Sequence, residues 1–142
     1  MAESSFGSLL QVGDGAGPEV FTTIGEVRDI SGPEYGADTV ETTNHSSPGG
    51  WEEHIATILR SGEVTFEVNY DPTMATHNVA TGIKGDLVDR ALRNFKLVRA
   101  DAGTTTDTFA AFVTGFKESH PVNGKITANI TLKLTGEPTM DA

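Results

Sequence analysis

The stretch TDTFAAFVTGFKESHPVNGKITANITLKLTGEP, residues 106–138, holds two strand-like arms joined at Asn123-Gly124. A type I′ turn needs positive φ at both central residues, which Asn tolerates and Gly adopts freely, and its twist matches that of the flanking strands. With Asn123 and Gly124 as a two-residue hairpin turn, Val122 pairs with Lys125, Lys117 with Ile130, Gly115 with Leu132 and Val113 with Leu134. Directly opposed residues share a face, so Ile126, Ala128, Ile130, Leu132, Leu134, Val113 and Ala111 form a core face. The other face is polar yet carries Phe112 and Phe116. Exposed aromatics in a polar setting mark a partner surface. A covering helix of the same chain, or a bulge at Gly115 that turns one ring inward, accounts for them equally well.

Outward from this hairpin, Glu63–Tyr70 alternates most cleanly, with Val64, Phe66, Val68 and Tyr70 on one face and Glu63, Thr65, Glu67 and Asn69 on the other. That pattern predicts a strand with one buried and one wet, acidic side. Asp71-Pro72 supplies an N-cap and a first-turn proline, which predicts a helix over 73–80. Gly82 and Gly85 interrupt it, and Asp86 opens a second turn-rich stretch where Ile83, Leu87, Ala91 and Leu92 recur at helical spacing. Residues 94–100 return to strand, and 101–105 form a polar loop. Earlier in the chain, 6–12 reads as a first strand, 13–18 as a turn, 21–30 as a strand with a bulge at Gly25, and 39–43 as a short strand. Gly13–Pro18 has the look of a phosphate loop, but no Gly-Lys-Ser/Thr follows it.

Between Asn44 and Ser61 the periodicity fades, and the segment carries the only tryptophan, Trp51. A long connection inside a compact domain tends to be functional, and this one is expected to order against a partner. Six or seven strands and one late helical segment predict a mainly β fold: an antiparallel β-sandwich or open barrel with one flanking α-helix.

The chain has 142 residues, no cysteine, and a formal net charge of −10 from 20 acidic and 10 basic residues. One domain over 1–142 is expected, large enough to bury roughly 70% of its unfolded surface without a staple. No disulfide framework is possible. Met1–Ser5 carries Glu3 rather than a basic group, and no apolar run approaches spanning length, so neither a signal peptide nor a membrane span is expected. Gripping nucleic acid through its phosphates needs clustered Lys and Arg, which the charge balance opposes.

Catalytic patterns are sparse. His45, His54, His77 and His120 are scattered, and none pairs at metal-ligand spacing. Trp51-Glu52-Glu53-His54 sets carboxylates beside an imidazole without a second ligand cluster, and Glu63 and Glu67 share a flat strand face rather than bracketing a cleft. No enzyme activity, cofactor or metal is expected.

The runs GDGAGPEVFTTIGEVRDISGP (13–33), DTVETTNHSSPGGWEEHIATILRSGEVTFEVNYDP (38–72), ALRNFKLVRAD (91–101) and LKLTGEPT (132–139) resemble the major tail tube protein of long, non-contractile phage tails. The most specific parts are 21–24, 47–51 and 62–67. This resemblance implies a structural virion protein that works in the tail after assembly in the host cytoplasm. Its partners would be copies of itself in stacked hexameric rings, with tail tip or initiator, tape measure and terminator proteins. DNA would transit the lumen without specific binding, and six copies would put −60 on each ring. The resemblance further implies an N-terminal arm (1–20), a closing hairpin (106–138) and an inter-ring loop (44–61) that is mobile in the free subunit. Ser47, Pro48, Gly49, Gly50, Trp51 and Ile55 are the candidate inter-ring contacts. Glu63, Glu67 and Asn69 are the candidate lumen residues, with the polar face that includes Thr131 and Lys133 as the rival. A gene transfer agent or bacteriocin-like tail fits the same features. A glycan-binding sandwich using Trp51 as its platform is the alternative from another class.

Overall fold

The computed structural model describes residues 6–15 and 17–140. The N-terminal arm falls partly on residues 1–5 and Ala16, which lie outside the described residues. Nine strands are described: β1 Leu9–Gly13, β2 Phe21–Thr23, β3 Val27–Ser31, β4 Gly36–Glu41, β5 His54–Arg60, β6 Glu63–Asn69, β7 Leu92–Val98, β8 Thr106–Ser119 and β9 Thr127–Met140. One α-helix, α1 Ile83–Asp89, accompanies them. Among the described residues no helix is long and apolar enough to cross a membrane.

Seven strands form a single antiparallel sheet in the order β2-β1-β7-β8-β9-β6-β3, while β4 and β5 pair as a separate two-stranded sheet. β2 and β3 hold opposite margins of the large sheet although only Ile24, Gly25 and Glu26 separate them in sequence. Both margins grip that link: Ile24 N–H donates to Leu10 O at 2.9 Å, and Asn69 N–H to Glu26 O at 3.0 Å. The sheet therefore curls over on itself, and its two halves enclose one core without closing into a barrel. Leu10, Val64, Phe66, Val68, Phe95 and Ile130 are all at most 1% exposed there.

The expected strand over 21–30 is thus two strands. Glu26 takes φ 55°, and a Cβ on Gly25 would overlap the Met74 sulfur. That close approach makes a corner where the alternation suggested a bulge.

The expected helix over 73–80 is instead a series of turns, and the helix begins later. Asp71 does cap, accepting from Thr73 N–H at 2.9 Å. The competing interaction is His77, 1% exposed, whose Nδ1 accepts from Asp71 N–H at 3.2 Å and whose Nε2 meets Gly25 O at 2.7 Å. Carbonyls only accept, so Nε2 carries the proton. Holding that ring inward bends the segment away from continuous helical bonding. Gly85 then lies so close to Val79 O that a Cβ would overlap it, and the short helix packs on β8.

The defining hairpin forms, but not with the expected turn. β8 and β9 are joined by residues 120–126, neither Asn123 nor Gly124 has positive φ, and the register near the tip pairs Phe116 with Ile130 and Ser119 with Thr127. Pro121 has no N–H to extend the ladder, and Ile126 O is taken by Tyr70 N–H at 3.0 Å. A register shift at Thr114, between Val113 and Gly115, carries Phe116 to the core side. There it meets the Tyr70 ring edge-on at 5.3 Å, with Lys84 of α1 5.5 Å from its centroid. The bulge and the covering helix both hold for Phe116, whereas Phe112 remains 37% exposed. Ala111, Val113, Ala128, Ile130, Leu132 and Leu134 are buried as read, and Ile126 is 39% exposed.

Candidate functional site

The segment expected as a loop over 44–61 is half of a projecting hairpin. β4 and β5 pair through Ala37–Leu59, Thr39–Ala56, Val40–Ile55 and Glu41–His54, and every residue of β5 is exposed. The sequence hid this strand because its side chains do not alternate against one core. Thr57 and Ile58 both oppose Asp38 where the register shifts, and such a bulge brings two successive side chains toward one side. Val40, Ile55 and Ile58 consequently share one face, ending at the root in Arg60, which is hydrogen-bonded to Asp38 at 2.6 and 3.0 Å. Those bonds hold the Asp38 carboxyl below its usual range. The opposite face carries Glu41, His54, Thr39 and Ala56.

The tip is shaped by its own hydrogen bonds. Ser47 Oγ accepts from Asn44 N–H at 3.0 Å and donates to Glu53 Oε2 at 2.9 Å, and Glu53 N–H donates to Thr43 Oγ1 at 2.8 Å. Gly49 and Gly50 take φ of 62° and 73° in a 3-10 turn over Pro48–Gly50, a conformation open to glycine. The turn leaves Trp51 77% exposed. Pro48, Gly49, Gly50, Trp51 and Ile55 thus lie on the surface, while Ser47 is interior to the tip and orders it. Val40 and Ile58, at 51 and 57% exposure, share the face of Ile55, while Leu59, 81% exposed, pairs with Ala37 on the opposite face. Their signal was present in the sequence as apolar residues without a periodic partner.

The two rival lumen faces are one surface. β6 and β9 are neighbours, with Glu63 opposite Lys133, Thr65 opposite Thr131, Glu67 opposite Asn129 and Asn69 opposite Thr127. Glu67 is ion-paired with Arg28. Asn69 Oδ1 is buried and has no hydrogen-bond partner among the described residues. This face is polar and close to charge-balanced, less acidic than β6 alone suggested.

Among the described residues, Glu41, Glu52 and His54 have donor atoms within 4.8 Å of one another. All three are exposed, and Glu52 lies 3.6 Å from His54. Pairing across β4 and β5 adds Glu41 to the carboxylates that the sequence set beside His54. The cluster lies on an open face rather than in a cleft.

An arm that presents bare strands and apolar side chains, rooted on a body with a finished core, defines a self-assembling structural subunit. The chain belongs to the lambda phage tail tube protein family, whose profile matches residues 10–141. It is a structural component of a phage-type tail tube and part of the virion tail. No protein of curated function matches the sequence. Solved structures share the fold. A chain in the tail of an empty gene transfer agent particle has a TM-score of 0.79 and 19% identity, over 99% of this chain and 100% of that one. One in the sheath/tube terminator of an extracellular contractile injection system has 0.73 and 18%, over 100% and 98%. One in the baseplate of the anti-feeding prophage has 0.68 and 11%, over 99% and 95%.

Proposed function

We propose that six copies close into a ring, that rings stack head to tail into a hollow tail tube, and that the arm over 36–60 makes the ring-to-ring contact. The observation that carries this reading is a pair of strands with no core, bearing Val40, Ile55 and Ile58 on one face and Trp51 at the tip. Isolated two-stranded hairpins are marginal in water, so docking supplies what orders them. The relative in the gene transfer agent tail was refined with C6 symmetry, which supports sixfold rings. Tail tip or initiator, tape measure and terminator proteins are the further partners, and assembly takes place in the host cytoplasm. The protein performs no chemistry, and the tube conducts DNA without specific binding.

Glu63, Glu67 and Asn69 face the bore in this reading, together with Thr131 and Lys133. Arg28 offsets Glu67 and Lys133 stands opposite Glu63, so low DNA adhesion comes from the summed −60 of a ring more than from this face. The second reading, a tube of a gene transfer agent, is favoured by the fold shared with that particle's tail. Negative-stain microscopy of the protein co-expressed with its tail proteins tests the assembly. Hollow rods of stacked rings are expected, and their absence at high concentration in the presence of tips contradicts it.

A further inference from the structure

The arm has no core to hold its direction, yet a tube of regular rings needs every arm to leave its subunit at one angle. Two features at its root supply that angle. On one side, Gly62 takes φ +66° and passes so close to Glu34 O that a Cβ would overlap the oxygen. This crossing ties the strands that enter and leave the arm to each other. Gly62 O accepts from Leu134 N–H at 3.1 Å, which seats the leaving strand on β9 but leaves the entering strand to be held from its other side. On the other side, the Tyr35 hydroxyl, one residue before β4, donates to Asp107 Oδ2 at 3.1 Å. Asp107 is the second residue of β8, with its side chain 4% exposed, and Arg99 holds it with both terminal guanidinium nitrogens at 2.9 and 3.1 Å. The turn between Arg99 and Asp107 is itself fixed: Asp101 accepts from Thr105 N–H at 2.8 Å and from Thr105 Oγ1 at 2.6 Å. A bidentate arginine–carboxylate pair is a geometrically strict anchor.

We infer that Tyr35 is the positioning residue of the assembly arm: its hydroxyl, seated on the arginine-held carboxylate of Asp107, fixes the angle at which Gly36–Arg60 leaves the sandwich. The inference rests on the arm being the ring-to-ring contact. Pre-organising the root lowers the ordering cost of docking, even while the strands beyond it fray. Burial first, then the Asp107 charge and hydrogen bond, push the Tyr35 phenol up to about 12. It therefore stays a donor throughout the neutral range. Tyr35→Phe removes this single bond and leaves Asp107 paired with Arg99, so no buried charge is stranded.

The chain has no cysteine, so spin labels at Ala37→Cys on the arm and Thr135→Cys on the body, both exposed, report the angle in the free subunit by electron–electron distance measurement. With Tyr35 present, one distance dominates. With Tyr35→Phe, the population at other distances rises roughly tenfold, the melting temperature falls by no more than roughly 4 °C, and tubes become slow to form or irregular. An unchanged distance distribution overturns the inference. So does a broadened distribution with tube formation unaltered. Failure of the underlying reading shows separately, as normal tubes from Trp51→Ala, and does not alter the distances.

Discussion

The strands β6 and β5 are adjacent in sequence, equal in length and both rich in β-branched residues, yet they end in opposite environments. In β6, Val64, Phe66 and Val68 are 0, 1 and 0% exposed; in β5, Ile55, Ile58 and Leu59 are 54, 57 and 81% exposed. What differs is the partner. β6 lies between β9 and β3 in a sheet that curls around its own core, whereas among the described residues β5 has only β4 beside it and every one of its residues is exposed. Apolar residues in a strand thus say that something must cover them, and leave open whether the cover belongs to the same molecule.

Substitutions can break this contrast. Phe66→Ala empties the core and should cost about 3–5 kcal/mol in urea unfolding; a loss near zero would mean that the sandwich is not the stable half. Gly62→Ala forces a side chain into the left-handed region against Glu34 O and should cost about 1–3 kcal/mol, read as a lower urea midpoint. Trp51→Ala should move stability by less than about 0.5 kcal/mol, while tubes fail to form in electron micrographs. Normal tubes from that variant would remove the arm from the contact. Reversing Glu63 and Glu67 to lysine should leave both stability and tubes near wild type but slow genome passage, scored as infectivity or gene transfer; unchanged passage would turn that face away from the bore.

The smallest effect is ionic. In a Tyr70→Phe variant, the remaining tyrosine, Tyr35, should titrate by near-ultraviolet absorbance at about 12 rather than 10.0. Asp107 and Arg99 face it at the clasp, with Asp101 nearby. A folded-state value raised above the unfolded one means that the clasp's contribution is complete below the unfolded value and disappears as pH rises through the folded one. Titration at the ordinary value would mean that the hydroxyl is not seated on Asp107.

Much of the body was legible because one core enforces one alternation. The buried set of β6 and most of β8 and β9 follow directly from period two, and a bulge near Gly115 was foreseeable from that glycine beside Phe116. Three features were not. The turn at 120–126 obeys Pro121 and the pull of Tyr70 on Ile126 O, a tertiary demand that outweighs Asn-Gly chemistry. The helix expected over 73–80 gives way to turns because buried His77 reaches back to Gly25, 52 residues away, and the helix that forms lies where Ile83 and Leu87 recur at helical spacing. The second strand of the arm carries apolar residues that the described residues leave exposed, and a bulge breaks its register. In the candidate site, Trp51, its glycines and Ile55 could be read from composition, whereas Tyr35 and Asp107, 72 residues apart, meet only in the fold.

Amide hydrogen exchange over 36–60, compared between free subunits and assembled tubes, addresses the dependence of the arm on its neighbours most directly. The arm should exchange rapidly in the free subunit while β6 and β9 are protected, and should become as protected as those strands in the tube. Equal exchange of the arm in both states would contradict the account, because it would show an arm that neighbouring copies neither cover nor order.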